Sequence, residues 1–99
     1  MKKIPLQPVP SQTLSVVLSG QNCQIAVYQK STGLYLDLDV DNAPIVSTAL
    51  CHDRVRLVRS VYLGFVGDLA FVDTLGHADP QYEQLGSRFV LAYLEPLEL

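Results

Sequence analysis

Leu34-Tyr35-Leu36-Asp37-Leu38-Asp39-Val40-Asp41 alternates apolar and polar side chains without interruption. Successive side chains of an extended chain point to opposite faces, so Leu34, Leu36, Leu38 and Val40 share one face and Tyr35, Asp37, Asp39 and Asp41 the other. The stretch predicts a β-strand with one face in a core and one in water.

Its neighbours read the same way. Cys23, Ile25 and Val27 alternate with Gln24, Ala26 and Tyr28, and before them Leu14, Val16 and Leu18 alternate with Thr13, Ser15 and Val17. Ser19-Gly20-Gln21-Asn22, Lys30-Ser31-Thr32-Gly33 and Asp41-Asn42-Ala43-Pro44 supply turns, and Ile45–Cys51 is an apolar, β-branched run. Four consecutive strands in a meander follow from this spacing.

The pattern then loosens. Val55, Leu57, Val58, Val61 and Tyr62 fit a helical period nearly as well as an extended one, so Arg54–Tyr62 reads as a short helix or a bent strand. Gly64 and Gly67 precede a strand in which Leu69 and Phe71 alternate with Asp68, Ala70 and Val72. Thr74–Gly86, with Gly76 and Pro80, is the longest loop. In the last strand Phe89, Leu91 and Tyr93 lie opposite Val90, Ala92 and Leu94, so both faces are apolar. It is either a central strand covered on both sides or a surface buried against another subunit, with Val90 and Leu94 as contact candidates.

About six short strands, with turn signals at roughly eight- to twelve-residue spacing, predict an all-β fold. A small antiparallel β-sandwich and a partly open β-barrel both satisfy the pattern, with room for one short helix. The 99 residues suffice for one core. Residues 11–99 form the predicted β-domain, and residues 1–10, which hold Pro5, Pro8 and Pro10, read as an extended arm lying on or beyond it. Ile4, Pro5 and Leu6 are the arm's candidates for docking on a neighbour, and removing the arm is expected to leave the domain folded.

Composition excludes several classes. An apolar fraction of 48% with 17% charged residues is too apolar for disorder. A formal charge of -3 provides no basic field for a phosphate backbone, so direct nucleic-acid recognition is not expected. Lys2 and Lys3 are not followed by the apolar run of a signal peptide, and no window approaches the roughly 20 apolar residues of a membrane helix. Synthesis in a cytoplasm and no membrane partner are the expectations. Cys23 and Cys51 are the only cysteines. Both fall at strand positions and read as buried thiols acting as small apolar side chains.

No constellation of reactive residues passes a geometric test. Asp37, Asp39 and Asp41 stand on one strand face, roughly 7 Å apart, within reach of paired-carboxylate chemistry. Their spacing imitates the start of a calcium loop, but Asn42 stands where glycine is required and Thr48 where the bidentate glutamate belongs. They read as a solvated acidic face that discourages edge-to-edge pairing. Cys51-His52-Asp53 resembles a nucleophile with base and orienter, yet adjacent strand side chains point apart. His77, with Asp73 and Asp79 near it in sequence, lacks enough partners for a closed zinc site. Gly64-Phe65-Val66-Gly67-Asp68 has neither the lysine nor the spacing of a phosphate loop. No catalytic residue, metal or cofactor is therefore expected. Arg54, Arg56 and Arg59 form the one basic cluster, suited to an acidic face on another subunit.

Several short stretches taken in order resemble a known family: Ile4-Pro5-Leu6, Gln12, Leu14-Ser15-Val16, Leu18-Ser19-Gly20, Leu34-Tyr35-Leu36-Asp37-Leu38, Pro44-Ile45-Val46, Tyr62-Leu63-Gly64-Phe65, Gly67-Asp68-Leu69 and Leu85-Gly86-Ser87-Arg88. Together they are similar to the small baseplate plug proteins of contractile-tailed bacteriophages, including the cyanophage type. The resemblance implies a non-enzymatic virion component at the tube end of the tail, made in the host cytoplasm. It would help close the lumen through contacts with hub, spike or tail-tube proteins and be present in several copies. The alternative from the residues alone is a small ligand- or carbohydrate-binding β-domain using Tyr28, Tyr35, Tyr62 or Tyr82 as stacking platforms.

Overall fold

A computed structural model describes residues 2–58 and 65–95. Among these the chain forms strands β1 (Lys2–Ile4), β2 (Ser11–Leu18), β3 (Gln21–Lys30), β4 (Gly33–Val40), β5 (Ala43–Leu50), β6 (Asp68–Asp73) and β7 (Phe89–Leu94), with one 3-10 turn at Tyr82–Gln84. Two antiparallel sheets result. One has the order β2-β3-β4-β5 and the other β1-β7-β6. They do not close into a barrel, so of the two architectures the sequence allows, the fold is the β-sandwich.

The meander follows the predicted alternation. Leu34, Leu36 and Leu38 are 1%, 0% and 0% exposed, while Tyr35, Asp37 and Asp39 on the other face are half-buried. Ser19 and Gly20 close the first hairpin, and Asp41 and Asn42 the third; all four have positive φ, as a two-residue hairpin with the strands' own twist requires. Cys23, Ile25 and Val27 of β3 share the inner face with the leucines of β4. Both cysteines are free and buried; Cys51 lies just beyond the end of β5.

The second sheet covers that inner face. Phe89, Leu91 and Tyr93 of β7 and Leu69 and Phe71 of β6 point inward and form one apolar cluster with the meander. β7 is central, between β1 and β6. The segment following β5 runs along the far side of β6: Arg54 N–H donates to Phe71 O at 2.7 Å and Leu57 N–H to Leu69 O at 2.9 Å. Over residues 53–57 the chain thus pairs with β6 through isolated bridges rather than coiling into a helix. The rest of the Arg54–Tyr62 stretch lies outside the described residues.

Side chains tie the sheets together at the first hairpin. Gln21 receives Val66 N–H at 3.0 Å and donates to Val66 O at 3.2 Å, and the Tyr93 hydroxyl reaches Ser19 Oγ at 2.9 Å. Gly67 is required here, because a Cβ at its φ of +94° would fall 2.4 Å from Leu94 O.

The proline-rich start of the chain is a structural element. Lys2–Ile4 pair with Leu91–Tyr93, and Ile4 and Leu6 are 2% and 6% exposed in the common core. Leu6 O packs against Gly86 so closely that a Cβ there would stand 2.5 Å away. Gln12 then fastens the segment to β2, accepting from Gln7 N–H at 3.0 Å and donating to Gln7 O at 2.7 Å. The segment is extended, but its first residues lie within a sheet and not beyond the domain. Each buried aliphatic side chain is worth about 1.5–3 kcal/mol, so deleting residues 1–10 is expected to cost about 3 kcal/mol or more. Urea denaturation measures this, and a truncated chain with the full-length midpoint would contradict the role given to Ile4 and Leu6.

Candidate functional site

The acidic face of β4 resolves into separate tasks. β5 bulges twice against β4: Leu36 pairs with Ala49, Leu38 with Val46 and Asp39 with Pro44. At the first bulge Thr48 has a φ of +54°, and its N–H donates to Asp37 Oδ1 at 2.6 Å. The Tyr28 hydroxyl donates to the same oxygen at 3.0 Å. Asp37 thus holds a strained backbone in place, and Asp41 belongs to the turn. Among the described residues no three His, Cys, Asp or Glu side chains gather as metal ligands would.

The side chains of Cys51, His52 and Asp53 are engaged with Ala49, Asp79 and Asp73 and not with one another. Burial pushes the Cys51 thiol up to about 12. His52 Nδ1 meets Asp79 Oδ2 at 3.1 Å, and Asp53 Oδ1 accepts Asp73 N–H at 2.7 Å. Asp79 is held below the usual carboxylate range first by His52 and then by the Asp53 N–H it also accepts. The thiol is therefore protonated and buried, and it donates to Ala49 O at 3.6 Å.

Among the described residues the most densely bonded carboxylate is that of Asp73, which the sequence offers only as a neighbour of His77. Its carboxylate is 1% exposed and takes four hydrogen bonds: Arg88 Nε at 2.8 Å, Arg88 Nη2 at 2.9 Å, Leu75 N–H at 2.9 Å and Ala78 N–H at 2.8 Å. Such a fork-to-fork pair with added backbone donors is the geometry in which a buried charge is tolerated. Thr74 reinforces it, donating from N and Oγ1 to Arg88 O at 2.9 and 2.8 Å. The outcome is a loop of fixed shape whose tip presents Leu75, 77% exposed. The signal available in sequence is Asp73 two residues before Leu75, an Asx-turn spacing, but nothing local names Arg88 as its counter-ion.

Of the sequence-predicted contact residues, Ile4, Pro5, Leu6 and Val90 line one shallow groove, and Arg54, Arg56 and Leu94 lie outside it. Ile4 and Leu6 face the core, while Pro5 is exposed and lines a shallow groove with Lys3, Ser87 and Val90. Val90 and Leu94 are half-buried on the outer face of β7. Arg54 is engaged within the chain, donating to the Asp53 carboxylate and to Gly76 O at 3.0 Å. Arg56 bridges to Ala70 at the edge of β6, and Arg59 lies outside the described residues. Of the tyrosines proposed as platforms, Tyr28 and Tyr35 stack at 6.0 Å beneath Lys30 Nζ, Tyr82 packs against the core, and Tyr62 lies outside the described residues.

The Asp73 ion pair sets a pH dependence. Arg88 first, and then the Ala78 and Leu75 N–H groups, hold the carboxyl well below the ordinary range. In the unfolded chain it titrates at about 3.9, so its full contribution is present above that pH and shrinks as pH falls toward the native value. Asp73→Asn should therefore lower Tm most at neutral pH, with the gap to wild type narrowing toward pH ~3. Melting curves across that range test this, and a gap independent of pH would contradict it.

A family model described as the cyanophage baseplate Pam3 plug gp18 matches residues 1–96 of the 99. No curated protein matches the chain. The match takes in both sheets, the Asp73 loop and the N-terminal strand, and on it the chain belongs to the cyanophage baseplate plug family, a structural component of the phage baseplate that associates with other baseplate proteins.

Proposed function

We propose that this chain closes the lumen at the baseplate end of a contractile tail, in contact with hub, spike and tail-tube proteins, and that it works by contact rather than catalysis. The observation that carries this reading is the near full-length family match. Further support comes from how reactive side chains are used: Cys51 is buried, His52 faces Asp79, and Asp73 is bound on all sides by the loop it shapes. A plug must resist deformation while it blocks a channel, and a sandwich with both sheets cross-tied is suited to that. The chain would be made in the host cytoplasm and join the assembly in more than one copy.

The alternative, a carbohydrate-binding face at Tyr28 and Tyr35, is less favoured by the same geometry. Tyr28 gives its hydroxyl to Asp37 and Thr48, and Tyr35 pairs with Thr32 Oγ1. The polar handles that a sugar site places beside its stacking ring are occupied within the protein.

Co-expression with candidate hub, spike and tail-tube subunits of the same phage is expected to give a complex that co-elutes on size exclusion. Elution of this chain alone against all of them would overturn the proposed contacts.

A further inference from the structure

Four strand edges bound the two sheets, and they are not equally protected. β5 is bulged twice and carries Pro44. β6 is flanked by the 53–57 segment, and β1 is only three residues long. β2 is different: eight regular residues, Ser11-Gln12-Thr13-Leu14-Ser15-Val16-Val17-Leu18, with no charge, proline or bulge. Natural sheets usually guard such an edge with one of those devices.

The register tells which of its backbone groups are open. The Ser19-Gly20 turn closes on the Leu18–Gln21 pair, which in a two-residue hairpin exchanges both hydrogen bonds. Gln12, Leu14, Val16 and Leu18 then face β3 with their N–H and C=O groups, and the donation of Gln29 N–H to Pro10 O at 2.8 Å continues the same phase. The N–H and C=O groups of Ser11, Thr13, Ser15 and Val17 point away from the sheet.

The inner face of β2 adds a second, independent feature. Leu14 and Val16 pack on the core but are only half-buried, whereas Cys23, Ile25 and Val27 beside them on β3 are at most 1% exposed. The four-stranded sheet overhangs its three-stranded cover, leaving apolar side chains at an open edge.

We propose that β2 pairs antiparallel with β2 of a second copy of this chain, with Leu14 opposite Leu14 across a twofold axis. This deepens, and rests on, the reading that the chain joins the baseplate in more than one copy. The alignment sets Ser11 opposite Val17 and Thr13 opposite Ser15 of the second copy, so every outward group of the strand has a counterpart. It also abuts the two overhangs, Leu14 on Leu14 with Gln12 beside Val16. No like charges meet, since β2 carries none. The four-stranded sheets merge into one continuous sheet that ends on the bulged β5 edges, where further addition stops.

A contact of one strand edge is small, below the roughly 1,200 Å² of stable complexes, so association is expected at micromolar or weaker affinity. Sedimentation equilibrium of the purified chain up to several hundred micromolar should show mass rising from one chain toward two. Ser15→Pro removes an outward N–H without touching the β2–β3 ladder, and should weaken association at least about tenfold while leaving Tm near wild type. Should that variant fail to fold, cross-linking carries the test. Opposed residues that do not exchange hydrogen bonds stand about 4.5 Å apart at Cα, within disulfide range, so Leu14→Cys should form a covalent dimer on mild oxidation. Gln12→Cys and Val16→Cys, each opposite a different residue, should not. The two native cysteines are buried and do not compete. A chain that stays monomeric at the highest concentration, or cross-linking of equal extent at all three positions, would overturn the pairing. Co-elution with hub and tube subunits reads the baseplate contacts separately.

Discussion

Everything in this fold depends on covering one apolar face. The inward side chains of β3 and β4, from Cys23 to Leu38, are a surface that a lone meander cannot keep out of water. The cover is assembled from the two ends of the chain, since Lys2–Ile4 and Asp68–Asp73 flank the central Phe89–Leu94 strand. The meander is made of local hairpins, but its stability comes from pairings between residues nearly the length of the chain apart. Such topologies fold cooperatively and comparatively slowly, because loop closure precedes the contacts that reward it.

Once that cover is in place, buried polar groups decide the details. Asp68 accepts from Val58 and Leu69 N–H groups, Asp73 from Arg88 and its own loop, and Tyr93 reaches across to Ser19. Among the described residues no buried side-chain nitrogen or oxygen lacks a hydrogen-bond partner. Three glutamines, Gln12, Gln21 and Gln29, serve as connectors, each meeting backbone groups of a segment outside its own strand. A side-chain amide has the donor and acceptor of a peptide unit, so it can extend a ladder where no strand is available. The loop that presents the exposed Leu75 is held from within by the Asp73 carboxylate.

Much of the meander was legible because its information is local. Alternation in Leu34–Val40 and the Ser19-Gly20 and Asp41-Asn42 turns state both the strands and the hairpins between them. The reading of residues 1–10 as an extended arm on or beyond the domain does not include the burial of Ile4 and Leu6, for a physical reason. Two apolar residues among prolines carry no period, and their burial depends on β7, which lies at the other end of the sequence. Asp37 reads as a solvated acid until β5 bulges and brings Thr48 N–H to it. Asp73 and Arg88 are fifteen residues apart in a loop without periodicity, so only the folded chain reveals the pair. The family was legible through the order of many short stretches, none of which is decisive alone.

The proposed role of this baseplate plug is one of contact, with two cross-tied sheets and an open β2 edge as its means. The most direct measurement is cryo-electron microscopy of intact tails before injection, with mass spectrometry of the same particles. The expected result is density for this two-sheet domain on the tail axis at the baseplate end, filling the lumen. An open lumen at that level, with this chain absent from the purified particles, would contradict the proposed role.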